Sequence, residues 1–125
     1  MIFVVDYDGT LVEEIWPRGG KPRWLPGALD AVRALLDSGH DVIVSSCRNN
    51  PAVAPEGDWQ AMLDELARVG LAERVHVDDG KHGKPYGDVY VDDRALSLDS
   101  RLVVGSTWYR VREMFATFEG GGIHG

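Results

Sequence analysis

The 125-residue sequence has almost no cysteine, no long apolar run and no excess of positive charge. Its one cysteine, Cys47, excludes an internal disulfide framework and is typical of a protein in a reducing compartment. No run approaches the roughly 18 apolar residues of a membrane span, and the first residues lack the basic and apolar regions of a signal peptide. We therefore expect a cytoplasmic protein without a membrane partner.

The charge balance is acidic, with 20 Asp and Glu against 13 Lys and Arg and a net charge of -7. The field of such a protein repels nucleic acid and anionic surfaces, so the composition weighs against a nucleic-acid partner. A chain of this length can bury roughly two thirds of its unfolded surface, which is enough for a core without disulfides.

Short apolar runs alternate with segments of helical periodicity, which predicts an α/β fold. We expect a three-layer α/β/α sandwich with a mainly parallel, Rossmann-like sheet in one domain over residues 1–119, followed by a tail at 120–125. Asp58 is the expected N-cap of the second helix. Strands are predicted at about 2–6, 41–46, 74–77 and 88–92, and helices at about 27–38, 58–70 and 106–118.

Paired acids close two of the predicted strands. Asp6 and Asp8 follow the run from Ile2 to Val5, and Asp92 and Asp93 follow a second apolar run. If these strands are parallel neighbours, the acids crowd together, and each like-charged pair at about 4.5 Å costs on the order of 3 to 4 kcal/mol. A hard divalent cation would relieve this repulsion, and Mg²⁺ suits all-oxygen ligands beside a phosphate.

The neighbouring polar residues are suited to phosphoryl transfer. Asp6 could attack phosphorus, and Asp8 could protonate the leaving oxygen and later deprotonate water. Ser46, at the end of the second strand, could hold a phosphoryl oxygen, and the ammonium group of Lys84 could bridge the phosphoryl group to the nucleophile.

The segment Asp6-Tyr7-Asp8-Gly9-Thr10-Leu11 resembles the first motif of the haloacid dehalogenase superfamily. Ser46, Lys84 and the pair Asp92-Asp93 resemble its second, third and fourth motifs, in the same order. The resemblance covers about residues 1 to 96 and implies that Asp6 is both nucleophile and Mg²⁺ ligand. It also implies that Asp8 binds the metal through its backbone carbonyl, Asp92 through its carboxylate and Asp93 through water.

In having an acid at position 8, the chain resembles the phosphatases and phosphomutases of that superfamily. This resemblance favours hydrolysis of a phosphate monoester. The distance along the chain between the motifs leaves no room for a cap domain, so the chain resembles the small capless members. Thr10, Arg48, Trp16 and Arg18 are the candidate substrate contacts. Ser45 remains an alternative to Ser46, and Lys81 to Lys84.

Several alternatives remain open from the sequence. The segment from Trp16 to Trp24 is either a flap that recognises a phosphorylated substrate or a surface that packs on the core or on a second copy of the chain. The same fold could be a non-enzymatic phospho-acceptor or an idle scaffold. A nucleic-acid end phosphatase is a variant of the phosphatase hypothesis that the net charge opposes.

Overall fold

The computed structural model describes residues 1–13, 21–80, 82–83, 85–92, 108 and 111–112. All four strands pair in parallel, and their order across the sheet is β3-β2-β1-β4. The α/β class and the parallel sheet are therefore confirmed, with element ends within two residues of those predicted. The elements are β1 (Ile2–Asp6), α1 (Ala28–Asp37), β2 (Asp41–Ser45), α2 (Asp58–Arg68), β3 (His76–Asp78) and β4 (Val89–Val91).

The strand β1 is central, and it pairs with β2 on one side and β4 on the other. Val5 is in register with Val91, so the two strands that precede the paired acids are parallel neighbours. This arrangement is the condition under which the sequence predicted that the acids crowd together. A strand buried on both faces in such a sheet reads as a continuous apolar run, which explains the composition of β1.

Both described helices cover the same face of the sheet. The β1-α1-β2 and β2-α2-β3 connections step in the same direction, and right-handed crossovers put their helices on one side. Phe3 and Val5 accordingly share a core cluster with Leu35 of α1 and Leu66 of α2, whereas the equally buried Val4 is not part of it. The helical layer predicted for the opposite face is not among the described elements.

The predicted helix over 106–118 lies mostly outside the described residues. Within this segment, Trp108 and Val111 are buried and belong to the core cluster, and both have helical backbone. The expected tail at 120–125 is not described. Within the described ranges, no helix is long and apolar enough to cross a membrane.

The prediction that Asp58 caps α2 is wrong. Gly57 is the N-cap, with φ at 94°, and among the described residues no side-chain hydrogen bond caps this end of the helix. The backbone oxygen of Gly57 accepts the first helical bond from the N–H of Ala61 at 2.9 Å. A positive φ at the cap position suits glycine. Asp58 is instead in the first turn, where its negative charge interacts favourably with the positive end of the helix dipole.

The segment that leads into β4 packs closely on β1. Ile2 N–H donates to Asp88 Oδ2 at 2.7 Å, and Asp88 N–H donates to the Ile2 oxygen at 2.8 Å. A Cβ placed on Gly87 would lie 2.5 Å from Val4 Cγ2 and 3.3 Å from the Ile2 oxygen. The absence of a side chain at position 87 therefore allows β4 to approach β1.

We expect Gly87→Ala to lower the free energy of unfolding by about 1 to 3 kcal/mol, because the added methyl group overpacks a stiff β-branched neighbour. Urea unfolding measures the change. In a double-mutant cycle with Val4→Ala, the double variant should lose less stability than the sum of the two single variants. Strict additivity would contradict the proposed contact.

Candidate active site

Four polar residues form a row along the carboxyl edge of the sheet. The register pairs Asp6 with Ser45 and Ser45 with Asp78. Asp92 follows Val91, the partner of Val5, and so continues the row next to Asp6. Paired residues share a face, so the row lies on the side of the sheet opposite α1 and α2. Ligands of open parallel sheets bind at this edge, outside the point where the chain changes direction between β1 and β4.

A tight turn after β1 fixes the position of Asp8. The backbone oxygen of Tyr7 accepts from the N–H groups of Leu11 at 3.0 Å and Val12 at 3.1 Å, and Gly9 N–H donates to the Val12 oxygen at 2.8 Å. Gly9 has φ at 81°, a conformation that favours glycine. This turn keeps Asp6 and Asp8 beside the loop that follows β2.

Arg48 holds the Asp8 carboxylate at both oxygens. Arg48 Nε donates to Oδ2 at 2.8 Å and Nη2 donates to Oδ1 at 2.6 Å. The two side chains are only 10% and 14% exposed, so water screens the pair weakly. The hydrogen bonds to Asp8 raise the pKa of Arg48 above its ordinary value, against the opposing effect of burial. Asp8 therefore lies in a bidentate ion pair in the described conformation.

The Arg48 guanidinium is itself held from two further directions. Its Nη1 donates to the backbone oxygen of Asp58 at 3.2 Å, at the start of α2, and its central carbon lies 4.9 Å from the centroid of the Tyr7 ring. Burial raises the pKa of Tyr7 to about 12, so the ring stays a neutral phenol and offers its face to the cation. Arg48 thus joins the turn after β1, the loop after β2 and the first turn of α2.

The two candidate serines have different surroundings. Ser45 is in register with Asp6, and its backbone oxygen accepts from Tyr7 N–H at 3.1 Å. Ser46 Oγ accepts from the backbone N–H of Arg48 at 3.1 Å, which fixes the loop that carries the arginine. Both serines line a cavity of about 600 Å³ between the ends of β2 and β3.

Thr10 and Trp24, at opposite ends of the loop after β1, both turn toward the interior. Thr10 is 2% exposed, its Oγ1 has no hydrogen-bond partner in the described part of the chain, and its backbone oxygen accepts from Trp108 Nε1 at 2.7 Å. The Trp24 indole packs on the core with its ring at a right angle to Tyr7, the two centroids 6.5 Å apart. For Trp24, the packing interpretation is therefore the one that the structure supports.

An ion pair on α2 anchors Trp24. Its Nε1 donates to Glu65 Oε2 at 2.7 Å, and Arg68 donates to both oxygens of the same carboxylate at 2.7 and 2.8 Å. The bonds from Arg68 lower the pKa of Glu65 below its ordinary value near 4.5 despite burial, and the indole contributes in the same direction.

Four predicted site residues, Trp16, Arg18, Lys84 and Asp93, lie outside the described ranges.

The donor set at the sheet edge suits a hard cation. Asp6 and Asp92 lie at the ends of adjacent strands, and Asp8 follows Asp6 by two residues in the turn after β1. Carboxylate and carbonyl oxygens are the ligands that such a cation prefers. Among the described residues, no group of three or more His, Cys, Asp or Glu side chains is arranged to hold a metal ion.

Sequence reasoning did not find the pairing of Arg48 with Asp8, nor the part played by Asp78 in the row. The two-residue spacing from Ser46 to Arg48 indicated that this arginine belongs to the site, but it did not identify Asp8 as its partner.

Comparisons with protein-family models, with curated proteins and with solved structures found no match to this chain. The interpretation of the site therefore depends on its residues and their geometry.

We expect Arg48→Met to lower the free energy of unfolding by about 2 to 4 kcal/mol, because it leaves the Asp8 charge poorly hydrated without its partner. The double variant Arg48→Met with Asp8→Asn should lose less than the sum of the single variants in urea unfolding. The matched control is Arg74→Met, which breaks an exposed pair with Asp37 of similar length, 2.7 Å, and should cost less than about 1 kcal/mol. Equal losses at the two sites would contradict the view that burial strengthens the Arg48 pair.

The lowered pKa of Glu65 predicts a pH dependence of stability. A carboxyl group with a lower pKa in the folded state stabilises above its unfolded pKa, and this contribution is lost as the pH falls through its folded pKa. The difference in unfolding free energy between the wild type and Glu65→Gln should therefore be largest near neutral pH and should shrink below about pH 4. Urea unfolding over a pH series measures it. A difference that stays constant down to about pH 3 would contradict the assignment.

Proposed function

We propose that this protein is a Mg²⁺-dependent phosphatase of the haloacid dehalogenase type that hydrolyses a phosphate monoester through a phospho-aspartyl intermediate on Asp6. The observation that carries the proposal is the parallel pairing of β1 with β4, which puts Asp6 and Asp92 at neighbouring carboxyl ends. The loop after β2 adds Ser46 on the other side of Asp6. This combination of acids and hydroxyl supports the motif assignments made from the sequence.

In the proposed reaction, a carboxylate oxygen of Asp6 attacks phosphorus and the bond to the ester oxygen breaks. Asp8 gives its proton to that leaving oxygen. Water then attacks the acyl phosphate, the bond between phosphorus and Asp6 breaks, and Asp8 takes the proton from the water. A bound Mg²⁺ would neutralise phosphoryl charge, held by Asp6, Asp92 and the Asp8 carbonyl, with Asp93 acting through water.

The ion pair with Arg48 bears directly on the proton transfers. A guanidinium only donates hydrogen bonds, so the bidentate pair requires an ionised Asp8, which is the form that accepts a proton from water in the second step. In the first step Asp8 carries a proton, and one of its oxygens must then leave Arg48 to face the ester. Arg48 is a positioning residue in this scheme. Lys84 is proposed to hold the phosphoryl group through its ammonium.

The decisive experiment is hydrolysis of phenyl phosphate with Mg²⁺ and with a chelator. We expect metal-dependent turnover that Asp6→Asn lowers by on the order of a thousandfold or more, because the amide is a poor nucleophile. Asp41→Asn is the matched control, since it removes an exposed acid at the start of β2, at the opposite edge of the sheet.

Each other outcome identifies a different function. Turnover that survives in Asp6→Asn would overturn the nucleophile assignment. Stable phosphorylation by a small phosphodonor without turnover would indicate a phospho-acceptor. Binding of Mg²⁺ without either reaction would indicate an idle scaffold with the same fold.

A further inference from the structure

We propose that Tyr7 is a positioning residue for the second step of the reaction: its ring holds Arg48, and through Arg48 it orients Asp8 toward the attacking water. The proposal depends on the phosphatase function proposed above. In that step the water oxygen bonds to phosphorus, the bond from phosphorus to Asp6 breaks and leaves its electron pair on the carboxylate, and the water proton passes to Asp8. The rate of this step therefore depends on the orientation of the Asp8 carboxylate.

Two groups of contacts hold the Arg48 guanidinium, and only one of them depends on Asp8. Nε and Nη2 donate to the Asp8 carboxylate. Nη1 donates to the backbone oxygen of Asp58, and the central carbon lies over the Tyr7 ring, 4.9 Å from its centroid. In the proposed reaction an oxygen of Asp8 leaves Arg48 in the first step and returns in the second. The Tyr7 ring and the Asp58 oxygen can keep Arg48 in place during this exchange, because it breaks neither contact.

The Tyr7 ring is itself fixed in position. The residue is fully buried, and the Trp24 ring packs against it at a right angle. Its backbone N–H donates to the Ser45 oxygen, and its backbone oxygen accepts from the N–H groups of Leu11 and Val12. A fixed ring can restrain a long, flexible side chain. The restrained guanidinium belongs to a side chain that is only 10% exposed, and a cation–π contact is stronger there than at an exposed site.

The ring of Tyr7, and not its hydroxyl group, carries this role. Within the described part of the chain, the buried hydroxyl group has no hydrogen-bond partner. A buried polar group without a partner destabilises the folded state. Tyr7→Phe keeps the aromatic face and removes the hydroxyl group. We therefore expect this conservative variant to retain the rate of the second step and to unfold at a higher urea concentration than the wild type.

The test is a single-turnover reaction with 4-nitrophenyl phosphate and Mg²⁺, stopped with acid at successive times. It gives separate rate constants for the formation and the decay of phospho-aspartate. Because 4-nitrophenolate leaves readily without a proton, formation depends little on Asp8. Tyr7→Met fills most of the space of the ring without an aromatic face. We expect it to lower the decay rate constant by about three- to thirtyfold, as the strength of a cation–π contact implies, and to leave formation within about twofold.

Phe3→Leu is the matched control, because Phe3 is a buried aromatic residue on the helix-covered face of β1, at the end away from the acids. It should leave both rate constants within about twofold. Pentafluorophenylalanine at position 7 keeps the test decisive if Tyr7→Met does not fold. It has nearly the shape of phenylalanine, but its electron-poor ring face repels a cation. It should slow decay relative to Tyr7→Phe, and formation should not change.

A double variant tests whether Tyr7 acts through Arg48. If it does, Tyr7→Met combined with Arg48→Met should slow decay no more than Arg48→Met alone. Independent effects would multiply instead, and that result would overturn the proposed route through the arginine.

The outcomes separate the two proposals. If the wild type turns over 4-nitrophenyl phosphate but neither Tyr7→Met nor pentafluorophenylalanine at position 7 slows decay, the positioning role is overturned and the phosphatase function stands. The same holds if formation and decay slow equally, or if Tyr7→Phe decays as slowly as Tyr7→Met, since the hydroxyl group would then carry the role. If the wild type forms no phospho-aspartate, or forms it without hydrolysing it, the phosphatase function fails and the positioning role fails with it.

Discussion

The pairing of β1 with a strand on each side sets the positions of the polar residues at the carboxyl edge of the sheet. Parallel register against β2 and β4 brings three strand ends to one edge, and the side-chain period of two puts Asp6, Ser45 and Asp78 on one face. A shift of one residue in β1 would move Asp6 to the helix-covered face and Val5 to the open one. The burial of Phe3 and Val5 against α1 and α2 therefore also determines where the acids lie.

The second level of organisation is electrostatic. The acids after β1 and β4 would repel one another if they were left alone. Among the described residues, Arg48 forms an ion pair with one of these acids, Asp8. Its further bond to the first turn of α2 means that Arg48 connects three separate segments. The face of the neutral Tyr7 ring packs against the same guanidinium. In our proposal a divalent cation and Lys84 would neutralise the remaining charge when substrate binds.

Much of the fold could be predicted from local patterns. The apolar runs before Asp6 and Asp92 predicted two strands of a mainly parallel sheet, and the structure confirms both strands and their parallel pairing. Helical periodicity predicted helices at about 27–38 and 58–70, and the structure confirms these as well. The cap of α2 was predicted wrongly, because Asp58 and Gly57 are both acceptable cap residues and the choice depended on the preceding loop. Trp24 was ambiguous in the sequence because the contacts that hold it against the core, with Tyr7 and with Glu65 of α2, join separate segments of the chain.

The α/β class, the order of strands and helices, and the acids that follow β1 and β4 could all be read from the amino-acid sequence. These features depend on hydrophobic period and on residues adjacent in the chain, which local physics controls. The pairing of Arg48 with Asp8 and the alignment of Asp78 with Asp6 and Ser45 depended on the tertiary fold. Each of these contacts joins residues about 30 or more positions apart, and a spacing pattern carries no information on which distant partner a charged side chain will meet.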